Sequence, residues 1–536
     1  MATRTEKFYS ESWWDLDWTK FEKSLFRLQK RVYAAIRAND KRKAKKLQNL
    51  ILKSSSARFL AIRQVTQLNH GKKTAGVDGK TALTFKERFD LEKLLKANAL
   101  NWKHQGLREI PIPKKDGSTR MLKVPTISDR AWQAIAKFAL EPAHEATFHA
   151  RSYGFRPGRG THDAQKIIFL NLRSYAKGKE KRVLELDISK CFDRISHKSI
   201  MDRLICPNNL KLGIFRCLKS GTDINFPEQG TPQGGVVSPL LANIALNGIE
   251  RIGEFKQNGT TSICVRYADD MVYFLRPQDN AEELLRKIKD FLAERGMEIS
   301  EKKTKLSLAT DGFDFLGWHF KVPNNEKFRS TPSVDNFKAF RKKVKSIINS
   351  SNLKLETKVE KLSRIIRGWR QYHKYCKMDG SRFSLWHMRL RAFKVFNKGK
   401  NTNKYQAIAL TQKAFPSVPY SENKFVNVKG NKSPFDGDLI YWSKRKNLKY
   451  DGTTARLLKK QKFECGRCGL KFVNEEKIHL HHKDGQHDNW KPSNLVVMHE
   501  SCHDQEHHRQ GYKRPEIRER SAEKSARCDL NERGEA

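Results

Sequence analysis

The chain contains no uninterrupted apolar run near the ~20 residues that a membrane-spanning helix requires, so no segment is expected to cross a bilayer. The opening residues Met1-Ala2-Thr3-Arg4-Thr5-Glu6-Lys7 include no apolar stretch, which argues against a secretory signal. Internal repeats are absent. Acidic residues are scarce: 59 Asp and Glu face 106 Lys and Arg, leaving a formal net charge of +47. Self-repulsion on that scale opposes a compact state unless a polyanion is present, so the expected partner is nucleic acid or an anionic membrane surface. With no spanning run, nucleic acid is favoured. Cysteines number nine, an odd count. Cys191, Cys206, Cys217, Cys264, Cys376 and Cys528 stand alone, while Cys465, Cys468 and Cys502 share one pattern. That usage suits a reducing, intracellular setting with one metal site better than a disulfide framework.

At 536 residues the chain is too long for a single core, and two to four domains are expected. Residues 1–70 read as a basic helical extension, because Leu25, Leu28, Val32 and Ile36 recur at helical spacing among Lys and Arg. A second basic amphipathic stretch runs from Lys41 to about Leu60. Gly71 to Lys80 is a turn-rich loop. Glu109 to Leu122 reads as a hairpin with Asp116-Gly117 at its tip. From Val334 to about Tyr375 the helical pattern returns: Val334, Phe337, Phe340, Val344 and Ile347 form one face, and Leu362, Ile365, Ile366, Trp369 and Tyr372 another. Arg364, Arg367 and Arg370 line the opposite side. Residues 396–455 are rich in Lys and Asn and poorly periodic, reading as a linker or a small basic DNA-binding region. Residues 511–536 are charged and poor in apolar side chains, and disorder is expected there.

Two acidic signals stand out. In Val183-Leu184-Glu185-Leu186-Asp187-Ile188-Ser189 alternation puts Leu184, Leu186 and Ile188 into a core and Asp187 on the other face of a strand. Cys264 to Leu275 reads as strand, tight turn, strand, with Asp269 and Asp270 at the turn. Carboxylate-tipped strands lying side by side make a hard-oxygen site for a pair of Mg²⁺ ions ~3.5–4 Å apart. Alone, Asp-Asp is also a good hairpin turn. Its company decides the matter. The order Asp187, Phe192-Asp193, Gln233 to Asn243, Tyr267-Ala268-Asp269-Asp270, then Phe315-Leu316-Gly317-Trp318 resembles the reverse transcriptases of bacterial group II introns. Thr74 to Gly79, Thr126 to Arg130 and Ser152 to Gly160 resemble the upstream blocks of the same family.

The resemblance implies roles residue by residue. Asp187, Asp269 and Asp270 would hold the two magnesium ions. Phe192 matches the gate that clashes with a ribose 2′-hydroxyl and selects dNTPs. Arg120, Arg156 and Lys114 (or its neighbour Lys115) match finger positions that clamp the triphosphate. Gln233 and Gly234 would lie beneath the primer terminus or nucleotide. Ile366 to His373 resembles the thumb, or X domain, of intron maturases, where a basic stripe lies along an RNA backbone.

Farther on, Cys465-Gly466-Arg467-Cys468 and His499-Glu500-Ser501-Cys502 offer two ligand pairs with two-residue gaps, which suits tetrahedral structural Zn²⁺. A zinc ribbon that only binds DNA would explain those four residues. It leaves His481, His482, Asn494 and His503 unexplained, and these resemble an HNH endonuclease. In that family His481 and His503 would bind one divalent ion, with His507 a further ligand one helical turn along. His482 would activate water and Asn494 would orient the motif. His499 stands where many relatives have cysteine.

The expected fold class is multidomain α+β. A right-hand polymerase has fingers and palm over residues 71–330 and a helical thumb over 331–395, preceded by the N-terminal extension. A small zinc-bound ββα-type HNH domain occupies residues 456–510. The resemblance implies an intron-encoded mobility enzyme whose partners are group II intron RNA, target double-stranded DNA and dNTPs. It would act in a bacterial cytoplasm, held at the nucleoid through DNA, with no membrane contact. Two alternatives stand beside this reading: a splicing cofactor with inactive catalytic sites, and a defence or CRISPR-associated reverse transcriptase. On any of them the charge of +47 predicts salt-sensitive binding. Contacts to about 6–10 phosphates would cost RNA affinity ~10³–10⁵-fold between roughly 50 and 200 mM salt. Filter binding across that range measures the slope, and a shallow one would show that the basic surface serves something other than RNA.

Overall fold

The computed structural model describes residues 12–113, 117, 119–221, 227–254, 262–378, 382–399, 402–447, 450, 452–472, 478–486 and 488–510. Lys114, Lys115, Asp116 and the tail 511–536 therefore lie outside the described residues. The described part of the N-terminal extension includes the helices α1 (Trp18–Arg37), α2 (Lys41–Lys53) and α3 (Ser55–Arg63). Each starts where a side chain satisfies an otherwise orphaned amide: Asp17, Asp40 and Ser54 accept from Lys20, Lys43 and Ala57. Their apolar faces, including Leu25, Val32, Leu47 and Ile51, bury into a core shared with the palm.

A fourth helix, α4 (Phe85–Asn98), opens with a capping box between Thr84 and Glu87. The hairpin β1 (Arg108–Pro113) and β2 (Thr119–Val124) follows, in a register pairing Pro113 with Thr119. Then come α5 (Ile127–Glu145), buried along most of its length, and α6 (Thr161–Leu172). The palm continues through β3 (Arg182–Leu186), β4 (Ile188–Ser189) and the short helices α7 (Cys191–Arg194) and α8 (His197–Arg203). Next are α9 (Asn208–Lys219), α10 (Ser238–Leu246), β5 (Ile263–Tyr267) and β6 (Asp270–Leu275). It closes with α11 (Ala281–Ala293), β7 (Glu298–Ile299) and β8 (Lys305–Leu308). Strand order in the main sheet is β5-β6-β3-β8, with every neighbouring pair antiparallel.

Both faces of this sheet are covered, which the alternation of β3 alone does not predict. Leu184, Leu186, Met271 and Tyr273 face the core that contains α5 and α10. Val183, Val265, Val272 and Phe274 face a second core, built on α6 and on the sheet of β9 (Phe313–Phe315), β10 (Trp318–Lys321) and β11 (Arg329–Pro332). A sheet buried on both sides tolerates few polar groups, so those it holds must be paired.

The thumb is a bundle of α12 (Val334–Asn349), α13 (Leu355–Tyr372), α14 (Trp386–Asn397) and α15 (Lys404–Ala414). It runs past the expected boundary at residue 395, because Phe396, Ala407, Ala414 and Phe415 close the same core as Phe340 and Leu362. The basic stripe is shorter than expected. Arg364 and Arg367 are exposed, but Arg370 is half-buried and its Nη1 donates to Pro416 O at 2.6 Å.

The Lys- and Asn-rich stretch is likewise no free linker. It carries α16 (Leu439–Asn447) and straps the start of α6. Arg445 Nη2 lies 2.6 Å from Asp163 Oδ1, which also accepts from Val428 N, and Arg159 Nη2 donates to the carbonyls of Gly430 and Lys432. The periodicity is weak because this segment is held by carbonyls, a buried ion pair and scattered apolar anchors such as Val428, Phe435 and Trp442 rather than by a regular apolar stripe. The C-terminal unit comprises α17 (Gly452–Lys460), the antiparallel pair β12 (Ile478–His482) and β13 (Leu495–His499), and α18 (Glu500–Arg509). It docks on the N-terminal segment: Gln505 Nε2 donates to Trp14 O and Leu16 O, and the His508 ring stacks on Trp14 at 5.3 Å. Among the described residues no helix is long and apolar enough to cross a membrane.

Candidate active site and metal centre

The carboxylate turn is built by register. Tyr267 pairs with Asp270 across the hairpin, and Ala268 adopts φ 58°, the left-handed conformation that lets two residues reverse the chain. Asp187 directly follows β3, whose last residue Leu186 pairs with Met271. Asp187 is thus brought beside Asp270 by strand pairing. Burial, then the charge of Asp187, raises the Asp269 carboxyl, against which Arg120 works. Asp270 is pushed up to about 6, first by desolvation where neighbouring atoms crowd its carboxyl and then by Asp269 and Asp187. Its residue surface is exposed all the same. Carboxylates that raise one another in this way gain by sharing a divalent cation, and oxygen is the donor Mg²⁺ prefers.

Arg266, which sequence reasoning passed over, holds this turn. Its side chain is fully buried, with Nε 2.6 Å from Glu250 Oε1. Nη1 donates to Ala268 O and Asn243 Oδ1, both at 2.9 Å, and Nη2 donates to Ser152 Oγ at 2.8 Å. One guanidinium therefore ties the Tyr-Ala-Asp-Asp turn to α10, to Glu250 and to the Ser152 to Gly160 loop. The signal was available: a charged residue inside an apolar strand, Cys264-Val265-Arg266, must be buried and paired. Gly154 also matters, since a Cβ there would lie 2.3 Å from Ala268 N.

The other expected residues fall into two groups. Arg120 Nε donates to Gln233 Oε1, and Gln233 Nε2 donates to Asp193 Oδ1 at 2.9 Å, so the finger hairpin and the Gln233-Gly234 turn meet. Gly234 takes φ 135°, and a Cβ would approach Lys123 O to 2.7 Å. Phe192 is half-buried, edge-on to Phe155 at 6.5 Å. Arg156 is a correction. Only 4% exposed, it pairs with Glu145 through Nε and Nη2 at 2.7 and 2.9 Å and donates Nη1 to His149 O and Ser152 O. With its donors so engaged, Arg156 braces the loop and is not free to clamp a triphosphate. Lys303 was not foreseen: its Nζ lies 3.2 Å from Asp187 Oδ2.

At the C-terminal end the structure gathers Cys465, Cys468, His499 and Cys502, with ligand atoms all within 4.8 Å of one another. His499 Nδ1 is 3.5 Å from the Cys468 sulfur and 4.0 Å from that of Cys502. Hydrogen bonds from Cys468 and Cys502 draw the Cys465 thiol far below its ordinary value. Three sulfurs and an imidazole converging this closely fit tetrahedral zinc. His481, His503 and His507 form a second group within the same limit, with His503 Nε2 and His507 Nε2 3.1 Å apart. His482, which follows His481 on β12, is buried, its ring 5.2 Å from that of Trp490. Asn494 clasps the intervening loop, accepting from Asp484 N at 3.1 Å and donating to Asp484 Oδ1 and Asn489 O.

Comparison with known proteins converges on one class. Residues 112–320 match the family described as reverse transcriptase (RNA-dependent DNA polymerase). Residues 13–95 match the N-terminal domain of reverse transcriptase, and residues 337–407 the group II intron maturase-specific domain. Maturase-like protein 1 of Euglena gracilis is 40% identical over 400 residues, covering 74% of this chain and 85% of that protein. Group II intron-encoded protein LtrA of Lactococcus lactis subsp. cremoris is 28% identical over 339 residues, covering 50% of this chain and 55% of that one. Protein YkfC of Escherichia coli is 29% identical over 314 residues, covering 51% and 82%. The chain belongs to the group II intron reverse transcriptase and maturase family. Residues 112–320 are thus a reverse transcriptase, or RNA-directed DNA polymerase, domain, which implies use of a divalent metal, and residues 337–407 a maturase domain, which implies RNA as a ligand.

Two measurements probe the site's supports. Burial alone would raise the Glu250 carboxyl, but the Arg266 charge and hydrogen bonds overcome it and hold the carboxyl below its ordinary value. A depressed carboxyl contributes stability that is complete above the unfolded pKa and is lost as pH falls through the folded one. Glu250→Gln should therefore destabilise at neutral pH, by about 3–5 kcal/mol for a broken buried pair. Urea melts should show its gap from wild type closing in acid. Native mass spectrometry should find one firmly held zinc, lost in Cys465→Ser together with Cys468→Ser. Metal of this kind contributes about 10–16 kcal/mol in zinc-finger peptides, so the C-terminal unit of that variant should be the first part cut by protease.

Proposed function

We propose that this chain is a nick-and-copy enzyme. It binds its intron RNA and assists splicing and reverse splicing. An HNH endonuclease at the C-terminal end cuts one strand of double-stranded target DNA, and the polymerase extends the resulting 3′-hydroxyl, copying the intron RNA. In the polymerase, Asp187, Asp269 and Asp270 are the residues that would hold two magnesium ions. Bound magnesium supplies activation of the primer hydroxyl and screening of charge on the leaving pyrophosphate. Arg120 neutralises part of the triphosphate of an incoming dNTP, and the family resemblance gives Lys114 the same task. The Phe192 ring excludes a ribose 2′-hydroxyl, and Gln233 and Gly234 support the nucleotide and primer end.

In the nuclease, His482 takes a proton from the attacking water, while Asn494 fixes the loop that follows it. His481, His503 and His507 would hold one divalent ion. The single observation that supports a nuclease over a structural ribbon is this second histidine group. Zinc is already saturated by Cys465, Cys468, His499 and Cys502, and a purely structural unit has no use for three more convergent imidazoles.

Two variants separate the activities. Asp269→Asn should lower cDNA synthesis by ~10²–10³-fold or more, the cost of removing a charge-stabilising group, and leave splicing intact. His482→Ala should abolish nicking of duplex DNA while a pre-annealed primer is still extended. Wild type without cDNA synthesis would favour the splicing-cofactor reading, and undiminished nicking by His482→Ala would overturn the nuclease assignment.

A further inference from the structure

The loop between β12 and β13 carries a tryptophan for which the polymerase, the zinc ligands and the histidine group have no use. Trp490 is 60% exposed, in a unit whose other large apolar groups, such as Phe472 at 1% and Leu495 at 3%, are inside. Exposed single hydrophobics are common on loops that are free to move. This loop is tightly fixed. Asp484 Oδ2 accepts from Asn489 Nδ2 at 2.6 Å, and its Oδ1 accepts from Gln486 N and Asn494 Nδ2 at 2.9 and 2.8 Å. Asn494 N donates to Lys491 O, and Lys483 Nζ donates to Ser493 O at 3.1 Å. The indole is thus presented in a set orientation, its ring plane at 89° to that of His482 and 5.2 Å away. Lys483 and Lys491 are exposed on the same loop, Lys491 directly following Trp490.

A held, exposed indole on a loop that also exposes two lysines has the character of a nucleic-acid stacking platform. Lysines engage phosphates while the aromatic face takes a base, and any base suffices because each has a π-face. Its position narrows the partner. A group 5.2 Å from the side chain that faces the attacking water is within one nucleotide of the scissile phosphate. We propose that Trp490 is a DNA-positioning residue: its indole stacks on an unstacked base flanking the phosphate to be cut, and so sets where the target strand is nicked. This rests on the nuclease reading above. The two lysines hold the adjoining phosphates, and the Asp484–Asn494 clasp keeps the platform in register with His482. A ring that merely buttressed His482 would have no reason to expose most of its surface.

The test uses the full chain with its intron RNA bound and a target duplex carrying 2-aminopurine beside the mapped nick. Without added magnesium, wild type should change the 2-aminopurine fluorescence on binding. Trp490→Ala should abolish that change, raise the DNA concentration needed for half-maximal nicking by about ten- to a hundred-fold, and scatter the cut over neighbouring phosphates. Trp490→Phe should restore most of both. The pH profile of single-turnover nicking and the zinc content should match wild type, which a buttressing role for His482 or a misfolded unit would not allow. An unchanged fluorescence response in Trp490→Ala, or a displaced pH profile with the cut site and affinity intact, overturns the proposal while the nuclease reading stands. Wild type that never nicks duplex DNA overturns both.

Discussion

A guanidinium with no access to water sits behind the Tyr-Ala-Asp-Asp turn, and the segments around that turn are joined through it. Arg266 meets Glu250, Asn243, Ser152 and the carbonyl of Ala268, groups drawn from four separate stretches of chain. Leaving any of its donors unmade in a dry interior carries the full desolvation penalty, so these stretches are locked to one another. Asp269 and Asp270 emerge from that lock. Burial first, and then the charges of Asp269 and Asp187, raise the Asp270 carboxyl in the position that this lock gives it.

The same economy of buried polar pairs joins distant parts. Arg156 and Glu145 brace the loop beside Gly154, and Arg445 with Asp163 closes the strap over the start of α6. Each pair fixes a geometry more than it adds stability, because removing two charges from water costs nearly what their attraction returns. The doubly covered palm sheet supplies the apolar surroundings that make such pairs decisive, and the thumb bundle, through its own core, extends this body to Phe415.

Much of this was legible from residues alone. Spacing alone placed the helices of the extension and thumb, the β1–β2 hairpin and the Tyr-Ala-Asp-Asp turn, because those elements follow local periodicity and turn chemistry. Cys465, Cys468, His499 and Cys502 were legible for the same reason: ligand pairs two residues apart leave little freedom. What escaped was non-local. Arg156 looked like a clamp because a cation in a loop carries no mark of the Glu145 waiting eleven positions earlier. Arg266 was hidden by the motif it precedes. The strap at 420–447 had no periodicity to betray it, since backbone carbonyls, the Arg445–Asp163 pair and irregularly spaced anchors such as Phe435 and Trp442 hold it in place. Lys303 reaches Asp187 across more than a hundred residues of sequence, which no local pattern encodes.

The ten residues of α18 carry an unusual density of obligations. Cys502 belongs to the sulfur cluster and His503 and His507 to the histidine group, while Gln505 and His508 dock on Trp14 and Leu16. These tasks fall on different sides of one cylinder, and each residue advances the side chain by about 100°. Inserting or deleting a single position would turn every later contact away from its target at once. Point changes on this helix are separable, but changes of length are not.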